Sequence, residues 1–226
     1  KDALVLREPK NDHRDAFDLA ARLRFGQLPI SYIPDDFWQG LRRFTRYRFR
    51  LSRDQSREKM RFKAYAFLKC SDWSRVEPFA DLFGATSAAL LTESTAAQLR
   101  AMSHLELAEL ISHRGHGRFH DPDATARAVQ QALDSSYPVD PQLDQMITAV
   151  LAASWEHIRF IKRLIKRLDQ QIARYIDPVP NPIISVKGLG PVITAGILAE
   201  IVDIARFPQH GQLAQYMGLT WRKRAS

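Results

Sequence analysis

Apolar residues recur at helical spacing along most of the chain, and two stretches stand out by their length. From Asp35 to Lys69 there is one glycine and no proline, which predicts a single long helix. A second long helix is predicted from about Asp140 to Ile176. Its apolar residues are spaced 3-4-3-4-3, like a coiled-coil seam: Ile158, Ile161, Ile165, Leu168, Ile172 and Tyr175. Upstream of a slip near Ser154, the seam continues through Leu143, Ile147 and Val150. We expect the two helices to pair as an antiparallel coiled coil.

Shorter elements surround these two helices. A helix is predicted from Asn11 or Asp12 to about Leu23, with Gly26 as its C-terminal stop. Residues 71–140 are typical of short helices joined by loops. Prolines at 178, 180 and 182 break the second long helix and precede a terminal module. The expected fold class is therefore mostly α.

The terminal module contains a turn of the helix-hairpin-helix kind. Lys187, Gly188 and Gly190 lie between an apolar stretch and the helix predicted over residues 192–200. Glycines allow a ligand to approach the backbone closely, and the N-terminus of the next helix favours a phosphate. Such a turn would grip a nucleic-acid backbone without reading bases. A helical hairpin packed in a core is the alternative interpretation.

The charge balance indicates a polyanionic partner. Thirty-three Lys and Arg against twenty-five Asp and Glu give a net charge of +8 and a pI near 9.8. Nucleic acid is the first candidate and an acidic membrane surface the second, and no apolar run approaches the roughly 18 residues of a membrane span. The single cysteine, Cys70, excludes an internal disulfide framework and suits a reducing cytoplasm.

Much of this charge lies on the first long helix. Ten basic residues lie between Arg42 and Lys63, against only Asp54 and Glu58, with aromatic residues interleaved. So dense a run of like charge favours binding to phosphates, although a solvated helix face is the alternative. The arginines that we expect to bind nucleic acid are Arg42, Arg43, Arg46, Arg50, Arg53 and Arg57.

Asp12 and Asp15 open the first helix three residues apart, so both carboxylates can lie on one face. Mg²⁺ prefers oxygen ligands and often takes only one or two carboxylates from a protein. Acids in a first turn also favour the helix dipole, which is the alternative explanation. The spacing alone leaves both open.

In their order along the chain, these motifs resemble the DEDD-type transposases of bacterial insertion sequences, the IS-one-ten type, whose members are guided by a bridge RNA. Lys10–Ala16 is similar to the family's Lys-x-Asp-x-x-Asp-Ala motif, and Leu41–Leu68 to its basic helix. Gly188–Pro191, Phe207-Pro208 and Gln212–Leu219 are similar to its second domain.

This resemblance implies a domain organisation and an active site. Residues 1–28 would end a RuvC-like domain, 29–177 would form a helical, coiled-coil linker domain, and 178–226 would begin the transposase domain with its helix-hairpin-helix-like motif. The family combines four acidic metal ligands, which hold Mg²⁺, with a serine nucleophile that attacks DNA. Asp12 and Asp15 match its last two acids, and Ser226 its serine. Trp221 stands where the family usually has proline.

We expect the chain to be a fragment that is inactive alone, since the family's first Asp and its Glu would lie upstream of Lys1. The resemblance implies DNA and a guide RNA as partners, a homo-oligomer, no membrane association, and a location in the bacterial cytoplasm with the nucleoid. Two alternatives remain: a non-catalytic nucleic-acid-binding module using the basic helix and the hairpin, and a coiled-coil interaction protein.

Overall fold

The computed structural model describes residues 12–28 and 31–220, and within these ranges every regular element is a helix. The α-helices are α1 (Asp12–Arg24), α2 (Asp36–Lys69), α3 (Trp73–Val76), α4 (Ala85–Glu93), α5 (Ala96–Ala101), α6 (His104–Gly115), α7 (Pro122–Ser135), α8 (Pro141–Ile176), α9 (Pro191–Ile201) and α10 (His210–Tyr216). Two single turns of 3₁₀ helix cover Ile183–Ser185 and Ile204–Arg206. The mostly α fold class is confirmed.

Local capping signals set the ends of the two long helices. The side chain of Asp35 accepts a hydrogen bond from the Trp38 amide at 3.0 Å and starts α2. The side chain of Asp140 accepts hydrogen bonds from the amides of Gln142 and Leu143 and starts α8 in the same way. Pro141 occupies the first helical position, where the helix does not use the N–H group that proline lacks. Both long helices therefore begin where the sequence predicts.

The two long helices pack against each other in antiparallel fashion. In the first half of α2, the guanidinium of Arg48 binds the carboxylate of Asp169, near the end of α8, in bidentate fashion, at 2.7 and 3.0 Å. At the end of α2, the Lys69 ammonium donates to Thr148 Oγ1 at 2.8 Å, near the start of α8. The predicted antiparallel pairing of the two helices is confirmed, and their coiled-coil geometry stays a prediction.

The seam along α8 runs without the predicted slip. Leu143 and Val150 are 50% and 39% exposed, so their assignment to the seam is wrong. The buried positions of this half are spaced 3-4-3-4-3: Asp144, Ile147, Leu151, Ser154, Ile158 and Ile161. Asp144 and Ser154 concealed this spacing because a polar residue in the core needs a partner that the sequence does not reveal. Ser154 Oγ donates to Glu58 Oε1 of α2 at 2.7 Å, and the Ala96 amide donates to Asp144 Oδ2 at 2.7 Å. At the other end of the seam, Tyr175 is 56% exposed, so it is not one of the buried seam residues.

The helices enclose two apolar clusters. The larger one lies between the second half of α2, the first half of α8 and helices α3–α7, with Phe62 and Leu151 fully buried at its centre. The smaller one joins Leu41 of α2 and Ile172 of α8 to Ala195 of α9. Because α9 shares this cluster, it is fixed to the long helices, and the domain boundary near 177 stays a prediction.

One buried cation connects three of these elements. Lys69 is 1% exposed, and its ammonium donates to the carbonyl oxygens of Leu91, at 2.7 Å, and Ser94, besides Thr148. Burial lowers the pKa of Lys69 to about 8, against the opposing effect of the nearby Asp144 carboxylate. Among the described helices, none is both long and apolar enough to cross a bilayer.

Candidate nucleic-acid interface

Arginines form a continuous stripe on the outer face of α2. The arginine stripe consists of Arg43, Arg46, Arg50, Arg53 and Arg57, whose spacing of 3-4-3-4 keeps them on one face of the helix. With Tyr47, Phe49 and Asp54 they line an open groove of about 800 Å³. The groove offers cations for a phosphate backbone and, along the same path, aromatic side chains of the kind on which unpaired bases stack.

The arginines of the stripe differ in their partners. Arg46 forms a bidentate ion pair with Glu200 of α9, at 2.6 and 2.8 Å, and Arg57 contacts Asp54 at 3.3 Å. Within residues 12–28 and 31–220, no carboxylate lies within ion-pair distance of Arg43, Arg50 or Arg53. Their guanidinium groups also make no hydrogen bond to another described residue, so their donors are available to a ligand.

Arg42, also expected to bind nucleic acid, is turned towards the protein. Its side chain is only 21% exposed, and it donates to the carbonyl oxygens of Ala199 at 2.9 Å and Glu200 at 3.3 Å. It thereby satisfies carbonyl groups at the C-terminal end of α9 that the helix itself leaves open. Glu200, which sequence reasoning missed, holds Arg46 through its carboxylate and Tyr216 through its carbonyl oxygen. Arg42 and Glu200 thus join α2 to the terminal module.

The predicted turn in the terminal module exposes backbone at two glycines, which have no side chains to cover it. Gly188 has φ of +94°, a conformation that side chains other than glycine rarely adopt, and the Leu189 amide closes the turn on Val186 O at 3.1 Å. A Cβ at Gly188 or Gly190 would meet no atom within 4 Å. Lys187 is exposed beside them, and no side chain caps the first turn of α9. The turn is therefore accessible to a ligand.

The element before the turn differs from the expected helix. It is one turn of 3₁₀ helix, Ile183–Ser185, held by the Asn181 side chain, which accepts from the Ile184 amide at 3.2 Å. Prolines at 178, 180 and 182 remove three backbone donors just upstream, which leaves too few residues to nucleate an α-helix. The geometry is therefore a loop that enters α9 and not a pair of α-helices.

Asp12 and Asp15 both lie in the first turn of α1, exposed. Their side chains supply oxygen donors of the type that Mg²⁺ prefers. In the described residues no cluster of three or more His, Cys, Asp or Glu side chains could hold a metal. The metal role of Asp12 and Asp15 therefore stays a prediction. Ser226 lies outside the described residues.

Family comparisons match the chain in two regions, one with the aspartates and most of α2 and one with the turn and α9. A transposase family model of the IS110 DEDD type matches residues 1–68, which include Asp12, Asp15 and most of α2. The model of the transposase IS116/IS110/IS902 family matches residues 181–226, which include the turn and α9. No curated protein and no solved structure shows a significant match to the chain.

Together the two matches cover about half of the chain, in the order in which the sequence motifs occur. Arg42 and Arg46 lie in the first matched region, and both contact α9 in the second. The protein is thus a helical chain in which α2 ties the two matched regions together. The chain belongs to the IS110-type family of transposases.

Proposed function

We propose that this chain supplies part of a DNA transposase that cleaves and rejoins phosphodiesters through a serine, with Asp12 and Asp15 as ligands of Mg²⁺ and Ser226 as the nucleophile. The observation that carries this proposal is the match of residues 1–68, which contain the two aspartates, and of residues 181–226, which contain Ser226, to transposase family models. Arg42 connects α2 of the first matched region to α9 of the second by donating to Ala199 O at 2.9 Å.

The chemistry is a transesterification. The Ser226 hydroxyl would lose its proton as its oxygen bonds to phosphorus, and the bond from phosphorus to a deoxyribose oxygen would break, with that oxygen taking up a proton. The energy of the phosphodiester is kept in the phosphoserine linkage, so a second DNA hydroxyl can reverse the step and join a new strand.

Divalent metal use is usual in the DEDD family. Asp12 and Asp15 would hold such an ion, which when bound stabilises negative charge on the attacking and leaving oxygens. Neither carboxylate takes part in an ion pair within the described part of the chain, so the oxygens of both are available to a cation. Phosphate oxygens and water usually complete a Mg²⁺ site of one or two carboxylates. Covalent trapping of the protein on DNA tests this chemistry.

DNA is the substrate of this family, and a guide RNA is the second partner that we propose. The arginine stripe is the surface that we assign to a nucleic-acid backbone, with the turn at Lys187, Gly188 and Gly190 as a second contact. Arg42 is left out of this surface because its donors are occupied by α9. We also propose that the protein acts as a homo-oligomer, which light scattering of the purified chain tests.

Replacing Arg43, Arg50 and Arg53 by glutamine should weaken binding to duplex DNA and to structured RNA. The affinity falls with salt, and each lost phosphate contact reduces the magnitude of the slope of log K against log salt by about 1. For the triple variant this magnitude should therefore be smaller by about 3. Fluorescence anisotropy between 50 and 200 mM salt measures both quantities.

The matched control for this variant is the replacement of Arg75, Arg118 and Arg127 by glutamine, which removes the same charge from exposed arginines outside the stripe. It should leave the slope near that of the unmodified chain, since charge far from the ligand is screened. Equal slopes for the two triple variants would contradict the assignment of the stripe and favour a solvated helix face.

A further inference from the structure

A second cluster of cations lies beside the seam between α2 and α8. Four of its members are on α8, at Arg159, Lys162, Arg163 and Lys166, and Lys59 of α2 faces them. They line an open groove of about 480 Å³ together with Phe83 and Trp155. None of the sequence motifs described above includes the cations of α8.

The spacing of the four α8 cations places them on one side of the helix. They stand at positions i, i+3, i+4 and i+7, which span about 10 Å along the axis. No carboxylate of the described residues pairs with any of the four, and Asp81 is the acid that lines the groove. Like charges held this close repel one another, so the cluster favours a polyanionic ligand.

The lysines of α2 are held in place by an aromatic ring. The Lys59 ammonium lies 4.8 Å and the Lys63 ammonium 6.0 Å from the centre of the Phe83 ring. A cation–π contact of this kind positions an ammonium group and leaves its other donors pointing outward. The lysine ammonium groups lie against the ring of Phe83, and their remaining N–H donors can contact phosphates of a ligand.

The groove and the arginine stripe lie on different sides of α2. Gln55, at the groove, faces α8 and donates to Ile158 O at 3.4 Å. Arg53 and Arg57 stand two residues to either side of Gln55, which corresponds to a rotation of about 200° around the helix. Among the residues that the structure describes, none lines both grooves.

We propose that this α8 groove is a second binding site for a nucleic-acid backbone, separate from the arginine stripe, so that one chain can hold two nucleic-acid segments at once. Four α8 cations over about 10 Å correspond to the axial rise of about three nucleotides of one strand. The site reads phosphates and not bases. This proposal adds a second site to the proposed nucleic-acid binding. It depends on the proposed function only in that the ligand is taken to be a nucleic acid.

The test compares two variants of the whole chain that carry the same chemical change on the same helix. Arg159→Gln with Arg163→Gln removes two cations of the groove, whereas Arg167→Gln with Arg174→Gln removes two exposed arginines outside it. Circular dichroism should show the same helix content for both. The probes are a short DNA duplex and an RNA hairpin with the same number of phosphates.

For at least one probe, the magnitude of the salt slope should be smaller by about 2 for the groove variant than for the unmodified chain. The control variant should keep the slope of the unmodified chain. The probe that responds identifies DNA or RNA as the ligand. The groove substitutions should have the same effect in a chain that already carries the three stripe substitutions, because separate sites contribute additively.

Equal salt slopes for the groove and control variants with both probes would overturn the second site. A groove effect that disappears in the stripe-substituted chain would also overturn it, because it would show that a ligand contacts the groove only while the arginine stripe holds it. Either result leaves the stripe assignment and the cleavage chemistry standing, since those depend on other substitutions. Conversely, equal salt slopes for the stripe variant and its control would contradict only the arginine stripe, and the proposal of the α8 groove would stand.

Discussion

In the proposed transposase, Asp12→Asn or Asp15→Asn should abolish Mg²⁺-dependent DNA cleavage. Asparagine keeps the size of aspartate but removes the charge that holds the cation. Loss of one electrostatic contributor at a reacting phosphate typically costs about 10³-fold in rate. Nucleic-acid binding should be unchanged, because the arginine stripe lies on a different helix.

Asp18 supplies the matched control. It is a third exposed acid on α1, three residues beyond Asp15, and the family motif does not include it. Cleavage rates measured across a Mg²⁺ titration should fall for Asp12→Asn and Asp15→Asn and stay at the unmodified level for Asp18→Asn. Normal cleavage by both motif variants would remove the metal assignment and favour a non-catalytic binding module.

Lys69 should make folding stability depend on pH in the alkaline range. Its pKa is about 8 in the folded chain against about 10.5 in the unfolded chain. Between these values the unfolded chain binds more protons, so the free energy of unfolding should rise with pH from about 8 to 10.5. The full rise corresponds to about 3 kcal/mol. Neutral lysine keeps two N–H donors, so most of its hydrogen bonds to the surrounding carbonyl oxygens survive.

Chemical denaturation of the unmodified chain and of Lys69→Met, at several values between pH 7 and pH 11, measures this effect. The difference in unfolding free energy between the two should change by about 3 kcal/mol in favour of the unmodified chain as the pH rises. Lys166→Met, at an exposed position on α8, is the control and should show no such change. A constant difference for Lys69→Met would mean that this ammonium is not desolvated in the folded chain.

The long helices could be predicted because their signals are local. Asp35 and Asp140 cap them, and within the helices only Gly40 near the start of α2 and Pro141 at the first position of α8 depart from helix-forming residues. The register of the seam could not be predicted, because Ser154 and Asp144 look misplaced until Glu58 and the Ala96 amide are seen opposite them. A polar seam residue is explained only by its partner, which is distant in sequence.

The candidate binding surfaces show the same limit. The density of arginine on α2 was visible in the sequence, but the use of Arg42 to bind α9 was not, since Ala199 is 157 residues away. The α8 groove did leave a signal, in cations spaced i, i+3, i+4 and i+7 next to the apolar seam. That signal was hard to interpret because a charged helix face next to a seam is usually solvated.

The most direct measurement is the identification of the residue that becomes covalently attached to DNA. The full-length protein would be incubated with DNA of its own element, its transcripts and Mg²⁺, then denatured, digested with nuclease and protease, and sequenced by tandem mass spectrometry. We expect a nucleotide linked through phosphate to Ser226, lost in Ser226→Ala and kept in Ser185→Ala, a change at an exposed serine of the 3₁₀ turn. An adduct on another residue, or cleavage by Ser226→Ala at the normal rate, would contradict the account.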